Sequence, residues 1–153
     1  MKKRDLAEFQ ILDSGKTELS ERNIEITTSA FHELIEKKNI STFSNLMSPK
    51  LKIRKNNELW NYDQTYTYIE MLISKYKKVT FLPFEMVIAT GDYVTVKYTE
   101  RLFLKDGRVE SHKFISIFEI KEVRIQNIWE LAVPADEILQ VSKDSNSQMT
   151  YCN

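Results

Sequence analysis

Apolar and polar positions change their period along this 153-residue chain, and the changes mark out its elements. Residues 1–22 are polar and charged, apart from a short apolar cluster at Leu6, Phe9, Ile11 and Leu12, and read as an N-terminal extension. Between Asn23 and Lys38 the apolar residues Ile24, Phe31, Leu34 and Ile35 recur at helical spacing. Ser41 is placed to cap a second short helix through Met47, and Pro49 ends it because the residue before proline disfavours the α region. Leu51–Arg54 has the length of a short strand. A third helix is predicted from an N-cap at Asp63, with Tyr66, Ile69, Leu72, Ile73 and Tyr76 on one face. From Val79 to Val133 β-branched and aromatic residues dominate, divided into hairpins by Gly91–Asp92 and Asp106–Gly107. A short amphipathic piece (Ile138, Leu139, Val141) follows Pro134. The polar residues 143–153 are expected to be a disordered tail, leaving one domain over 23–142. Helices first and a long antiparallel meander afterwards is an α+β pattern.

The Asp106–Gly107 turn allows a register to be proposed. A two-residue loop there sets Lys105 opposite Arg108, Arg101 opposite His112, and Glu100 opposite the oppositely charged Lys113. One face of the sheet then carries Lys97, Arg101, His112, Phe114, Ser116 and Phe118. A turn at Glu122–Val123 adds Asn127, Trp129 and Leu131 to it. The other face carries Val94, Val96, Tyr98, Ile115, Ile117 and Ile128, flat enough and apolar enough to be covered by a second subunit. A mixture of aromatic walls and a few convergent polar groups is what a ligand cavity requires, so the first face is expected to be the concave one.

Composition narrows the chemistry. Lys plus Arg and Asp plus Glu are both 22, giving no net charge, so phosphate-driven nucleic-acid binding has no global support. The single cysteine, Cys152, excludes a disulfide framework and a cysteine-based zinc site. No apolar run is long enough to span a bilayer and no leader precedes the domain, which predicts a cytoplasmic protein without a membrane partner. Phosphate-binding, nucleophile-elbow and zincin motifs are absent, and no metal or cofactor is expected.

The candidate site residues follow from the proposed register. His112 beside Arg101 would stay a neutral imidazole able to accept a proton. Arg101 in a cavity needs an anion, supplied either by the protein or by a ligand. Trp129, Phe114 and Phe118 would form apolar walls, with Ser116, Asn127 and Lys97 as polar contacts and Trp60 and Tyr62 at the mouth. On this register no carboxylate faces inward from the strands to orient His112.

The block from Gly91 to Pro134, with Phe118-Glu119-Ile120, Arg124-Ile125 and Trp129, resembles the sheet of the SnoaL-like branch of the nuclear transport factor 2-like superfamily. The resemblance extends over roughly Asn23 to Leu139. It implies a cystatin-like cone, in which a curved antiparallel sheet wraps around three N-terminal helices and encloses one deep pocket. Relatives of that kind include polyketide cyclases, ketosteroid isomerase, scytalone dehydratase and limonene-1,2-epoxide hydrolase, besides non-catalytic dimerisation domains. The epoxide-hydrolase pattern E-R-x-D and W-R-D is met by Glu100-Arg101-Leu102-Phe103 and Trp129-Glu130-Leu131. Its arginine and tryptophan match, whereas Phe103 and Leu131 stand where the acids belong, so that activity is not expected.

Two functional classes remain open. One is a pocket for a small apolar molecule, with cofactor-independent proton transfer (isomerisation, dehydration or cyclisation) in which Arg101 holds an anion and His112 moves the proton. The other is a non-catalytic, homodimeric or adaptor domain with a vestigial pocket.

Overall fold

A computed structural model of the chain describes residues 9–11 and 17–134. Most of the extension, the amphipathic piece after Pro134, the 143–153 tail and Cys152 lie outside those residues. The described elements are β1 (Phe9–Ile11), α1 (Thr17–Ser29, continued by a π-helical stretch Ala30–Glu36), α2 (Phe43–Leu46), β2 (Met47–Lys55), β3 (Glu58–Asn61), α3 (Tyr62–Lys75), β4 (Lys78–Phe81), β5 (Met86–Thr90), β6 (Tyr93–Phe103), β7 (Val109–Lys121) and β8 (Arg124–Ala132). None of the helices is long and apolar enough to cross a membrane.

The strands form one curved, unclosed sheet in the order β1-β5-β6-β7-β8-β2-β3. β4 and β5 lie end to end along the same edge of β6, pairing with Glu100–Phe103 and Tyr93–Lys97 respectively. The sheet is mixed rather than purely antiparallel, since β1 runs parallel to β5 and β2 parallel to β8. The parallel β2–β8 contact arises because the chain must cross from the helical layer back to the far edge of the meander. It was not legible because β2 and β8 are some seventy residues apart in sequence, and pairing over that separation leaves no local pattern.

Local sequence sets the helix ends. α1 begins at Thr17, inside the segment read as an extension, and its apolar stripe buries Ile24, Phe31 and Leu34. α3 starts two residues earlier than expected. Its N-cap is Asn61, not Asp63: the Asn61 side chain accepts from the Gln64 amide, and the Gln64 side chain accepts from the Asn61 amide, both at 2.9 Å. This reciprocal arrangement satisfies two otherwise orphaned donors at once. Phe31 sits at the centre of the core, edge-on to Phe81, Phe84, Tyr98 and Phe118 at centroid distances of 4.7–5.7 Å. Burying an aromatic or a leucine of this kind contributes about 1.5–3 kcal/mol.

The β6–β7 register differs by one residue from the expectation. Glu100 is opposite His112, Arg101 opposite Ser111, Tyr98 opposite Phe114 and Val96 opposite Ser116. The cause is the turn. Leu104 N–H donates to the Arg108 carbonyl at 2.9 Å, so the loop is the three residues Lys105, Asp106 and Gly107, with Gly107 at φ +93°. A three-residue hairpin with glycine in the left-handed region is the common alternative to a two-residue Asp-Gly turn. Because side chains alternate with period two, the slip places Arg101 and Lys97 on the opposite face from His112. The inward face now carries Val94, Val96, Tyr98 and Leu102, all buried against the helices, together with Glu100.

The Glu122–Val123 turn forms where expected, but both residues adopt positive φ, 52° and 65°. A bulge follows at Gln126: Ile120 pairs with Ile125, yet Glu119 pairs with Asn127. Past the bulge, Ile128 and Glu130 face inward, opposite Phe118 and Ser116, while Trp129 and Leu131 face outward beside Ile117 and Ile115.

Candidate functional site

Between the sheet's inner face and the helices lies a cavity of about 370 Å³. Its floor and walls are apolar: Phe31, Leu34 and Ile35 from the π-helical part of α1, Ile69 and Leu72 from α3, and Phe81, Phe114, Phe118 and Ile128 from the strands. The widened π turn directs Phe31, Leu34 and Ile35 into the same space. Such stretches recur at functional sites. Trp60 and Tyr68 complete the wall, edge to face at 4.9 Å.

A small set of polar groups converges on this space. Glu100 and His112 form one cross-strand rung, and Glu110 approaches His112 with its carboxylate 3.6 Å from Nε2. Lys55 on β2 sits beside Glu130 on β8, Nζ to Oε1 at 3.4 Å. The ammonium also lies over the rings of Tyr68, Trp60 and Phe114 at 5.1, 5.7 and 6.0 Å. Deeper in, the Tyr98 hydroxyl and Ser116 Oγ share a buried hydrogen bond of 3.2 Å.

The electrostatics of these groups follow from burial. Desolvation raises the pKa of Glu100, and the nearby Glu130 raises it further; His112 and Lys55 act against both. Glu100 thereby keeps its proton to higher pH than an exposed carboxyl does. Desolvation works against the Lys55 ammonium, but Glu130 outweighs it, and the Lys55 pKa is raised. Burial pushes the Tyr98 phenol well above its ordinary value and raises Tyr68 as well, so both remain neutral donors.

The residues singled out from sequence separate into two groups. His112, Phe114, Phe118 and Trp60 line the cavity, and the buried Ser116 supports it through Tyr98. Tyr62 packs on Phe43 at 4.9 Å and is not part of the lining. Arg101, Lys97, Asn127 and Trp129 are on the outer face. Arg101 stacks over Phe103 at 5.8 Å, Lys97 pairs with Glu85 at 3.3 Å, Asn127 bridges Arg54 and Glu119, and Trp129 lies under Arg54 at 5.3 Å. The one-residue slip accounts for Arg101 and Lys97, and the bulge at Gln126 for Asn127 and Trp129.

The slip turns Glu100 inward and the bulge at Gln126 turns Glu130 inward, while Glu110, two residues before His112 on β7, shares its face in either register. Glu100, Glu110 and Glu130, with Lys55, Tyr68 and Tyr98, are the cavity's titratable residues beyond His112 and Tyr76. One signal in the sequence could have found Glu100. On β6 the apolar set Val94, Val96, Tyr98 and Leu102 alternates with the polar set Thr95, Lys97, Thr99 and Arg101, and the apolar set belongs on the core side whatever the turn does.

No protein-family profile matches the sequence, and no curated protein matches it. Solved structures do match in fold. AclR from Streptomyces galilaeus, described as a candidate hydroxylase, aligns with TM-score 0.67 at 9% identity, covering 81% of this chain and 98% of that one. A candidate SnoaL-like polyketide cyclase from Jannaschia sp. CCS1 aligns with TM-score 0.65 at 14% identity, covering 83% and 93%. An M. tuberculosis LEH-like epoxide hydrolase aligns with TM-score 0.64 at 14% identity, covering 74% and 84%. Helices packed inside a curved, unclosed mixed sheet, the element order and these alignments together identify the fold of this chain as that of the SnoaL-like, nuclear transport factor 2-like superfamily.

Proposed function

We propose that the protein binds a small, largely apolar molecule in the cavity between sheet and helices, and that it transfers a proton on that molecule without a cofactor. The observation that carries this reading is the Glu100–His112 rung at the end of an aromatic-lined cavity. Glu100, biased towards its neutral form, donates a proton to a substrate oxygen, while the His112 imidazole takes one from an adjacent carbon or hydroxyl; His112 then gives that proton to a different substrate carbon or to solvent, and Glu100 regains one from the enol or from solvent, which restores both residues. Isomerisation, dehydration and cyclisation all fit such an exchange, which contributes about 10²–10⁴-fold to rate. Lys55, with its charge matched by Glu130, and the neutral Tyr98 and Tyr68 hydroxyls orient the substrate. The fold neighbours described as cyclase and epoxide hydrolase support a small-molecule-binding role.

The test needs no knowledge of the natural substrate. Deuterium exchange at the α-carbon of cyclic ketones and β-dicarbonyl compounds reports proton transfer directly. Accelerated exchange that falls by about 10²-fold or more in Glu100→Gln and in His112→Gln supports the reading. Binding of these probes to the wild-type chain with no accelerated exchange favours a binding domain instead.

The homodimeric, non-catalytic alternative has one observation in its favour. The outer face exposes Leu131, Ile117, Leu59 and Tyr93 beside Trp129, and Leu131 is 65% accessible. Apolar side chains clustered on one sheet face suit a second copy of the chain. The patch differs from the one expected from sequence, since Val94, Val96, Tyr98 and Ile128 are in the core. Sedimentation of the wild-type chain against Leu131→Glu tests it: a mass near twice 18.1 kDa that halves in the variant supports the dimer.

A further inference from the structure

A second cavity lies at the end of the sheet away from His112, roughly 30 Å along β7 at the rise of a β-strand. It is lined by Arg22 from α1, Ser48–Lys50 from β2, Asp92 from the β5–β6 turn, and Ile120, Lys121, Glu122 and Arg124 of the β7–β8 hairpin, with Gln126. Four cations, Arg22, Lys50, Lys121 and Arg124, therefore share it with two carboxylates, Asp92 and Glu122. In a chain of zero net charge this excess is local.

Three irregularities of the backbone converge there. β2 departs from β8 between Met47 and Lys52, so that four residues oppose the single Gln126, and this excursion presents Lys50. Gln126 is itself the extra residue of the β8 bulge. The Glu122–Val123 turn holds both residues at positive φ without a glycine, and for β-branched Val123 that conformation is strained. The last rung beyond the bulge sets Lys121 directly opposite Arg124, a like-charge pair that opposes hairpin formation. Bulges re-aim side chains beside binding sites, and strain persists where the surroundings hold it in place. Asp92 offsets only part of the repulsion, at 3.6 Å from Lys121.

We propose that this end of the molecule is a second binding site, for a phosphoryl dianion, either free or at the end of a small organic phosphate. The charge excess of two matches a dianion. Arg124 and Arg22 supply planar paired donors, Lys50 and Lys121 point charges, and the Gln126 amide a neutral donor. The bound anion would relieve the Lys121–Arg124 repulsion.

Inorganic phosphate and phenyl phosphate, each titrated into the full chain at constant ionic strength, test the site by amide NMR. Saturable shifts are expected at Lys50 and from Lys121 to Gln126, with the His112 and Glu100 amides unmoved. Equal affinities assign recognition to the phosphoryl group alone, and tighter phenyl phosphate binding assigns it to the organic ester. Lys121→Gln and Arg124→Gln should each weaken binding about tenfold, the weight of one charge-assisted hydrogen bond. The same substitutions should leave the melting temperature in chloride unchanged or raised, because each removes a like-charge contact. Shifts that grow linearly without saturating, or affinities equal in wild type and both variants, would overturn the proposal. Lys50→Gln, in the β2 excursion, provides the same reading if a hairpin variant fails to fold.

Discussion

Glu100 and His112 stand directly opposite each other on β6 and β7, facing the cavity, and burial raises the Glu100 pKa. Linkage gives the sign of the pH effect. A carboxyl whose folded pKa exceeds its unfolded value of about 4.3 contributes stability below that value and loses it as pH rises through the folded one. Wild-type melting temperature should therefore decline over that interval, and Glu100→Gln should flatten the decline and melt a few degrees higher at pH 7. Differential scanning fluorimetry across pH 4–8 measures both; a variant that melts lower than wild type at pH 7 contradicts the burial argument.

The register makes a sharp distinction between neighbours on β7. Phe118 is buried against Phe31, whereas Ile117 is on the outer face. Phe118→Ala should cost about 3–5 kcal/mol. Ile117→Ala should cost well under half of that. Urea denaturation midpoints decide the matter, and equal losses would mean that the strand faces are assigned wrongly.

Lys55 and Glu130 are both largely covered, with side chains 27% and 18% exposed. Removing either partner leaves the other charge poorly solvated. A double-mutant cycle with Lys55→Met and Glu130→Gln should give a coupling energy of about 1 kcal/mol, within the range for contacting residues. The raised Lys55 pKa puts this contribution in place below the unfolded lysine value of about 10.4 and removes it as pH climbs through the folded one. A coupling indistinguishable from zero at pH 7 would show the two groups to be solvated independently.

Backbone conformation alone is tested at the two hairpin turns. A Cβ on Gly107 meets open space, so Gly107→Ala should lose about 1 kcal/mol purely through its φ of +93°. Replacing Glu122–Val123 by Asn-Gly should gain about 1 kcal/mol, since that pair suits two residues in the left-handed region. Thermal melts of the two variants should move in opposite directions.

The sequence by itself determined the α+β class, the β-rich stretch from Val79 to Val133, the hairpin at Gly91–Asp92 and the presence of His112, Phe114 and Phe118 on one face of β7. These rest on local periodicity and turn chemistry, which a chain carries in any short window. The resemblance carried by Phe118–Ile120, Arg124–Ile125 and Trp129 extended that reading to the cone. What the tertiary structure decided depends on contacts between distant segments. One extra loop residue at Lys105 moved Arg101 out of the cavity and Glu100 into it. One bulged residue at Gln126 turned Trp129 outward and Glu130 inward. Lys55 entered the site only because β2 pairs in parallel with β8, a contact between positions as far apart as Ile53 and Ile128. Period-two alternation identifies which residues share a face, but the turns, bulges and long-range pairings choose which face looks inward, and the chemistry of the cavity follows from that choice.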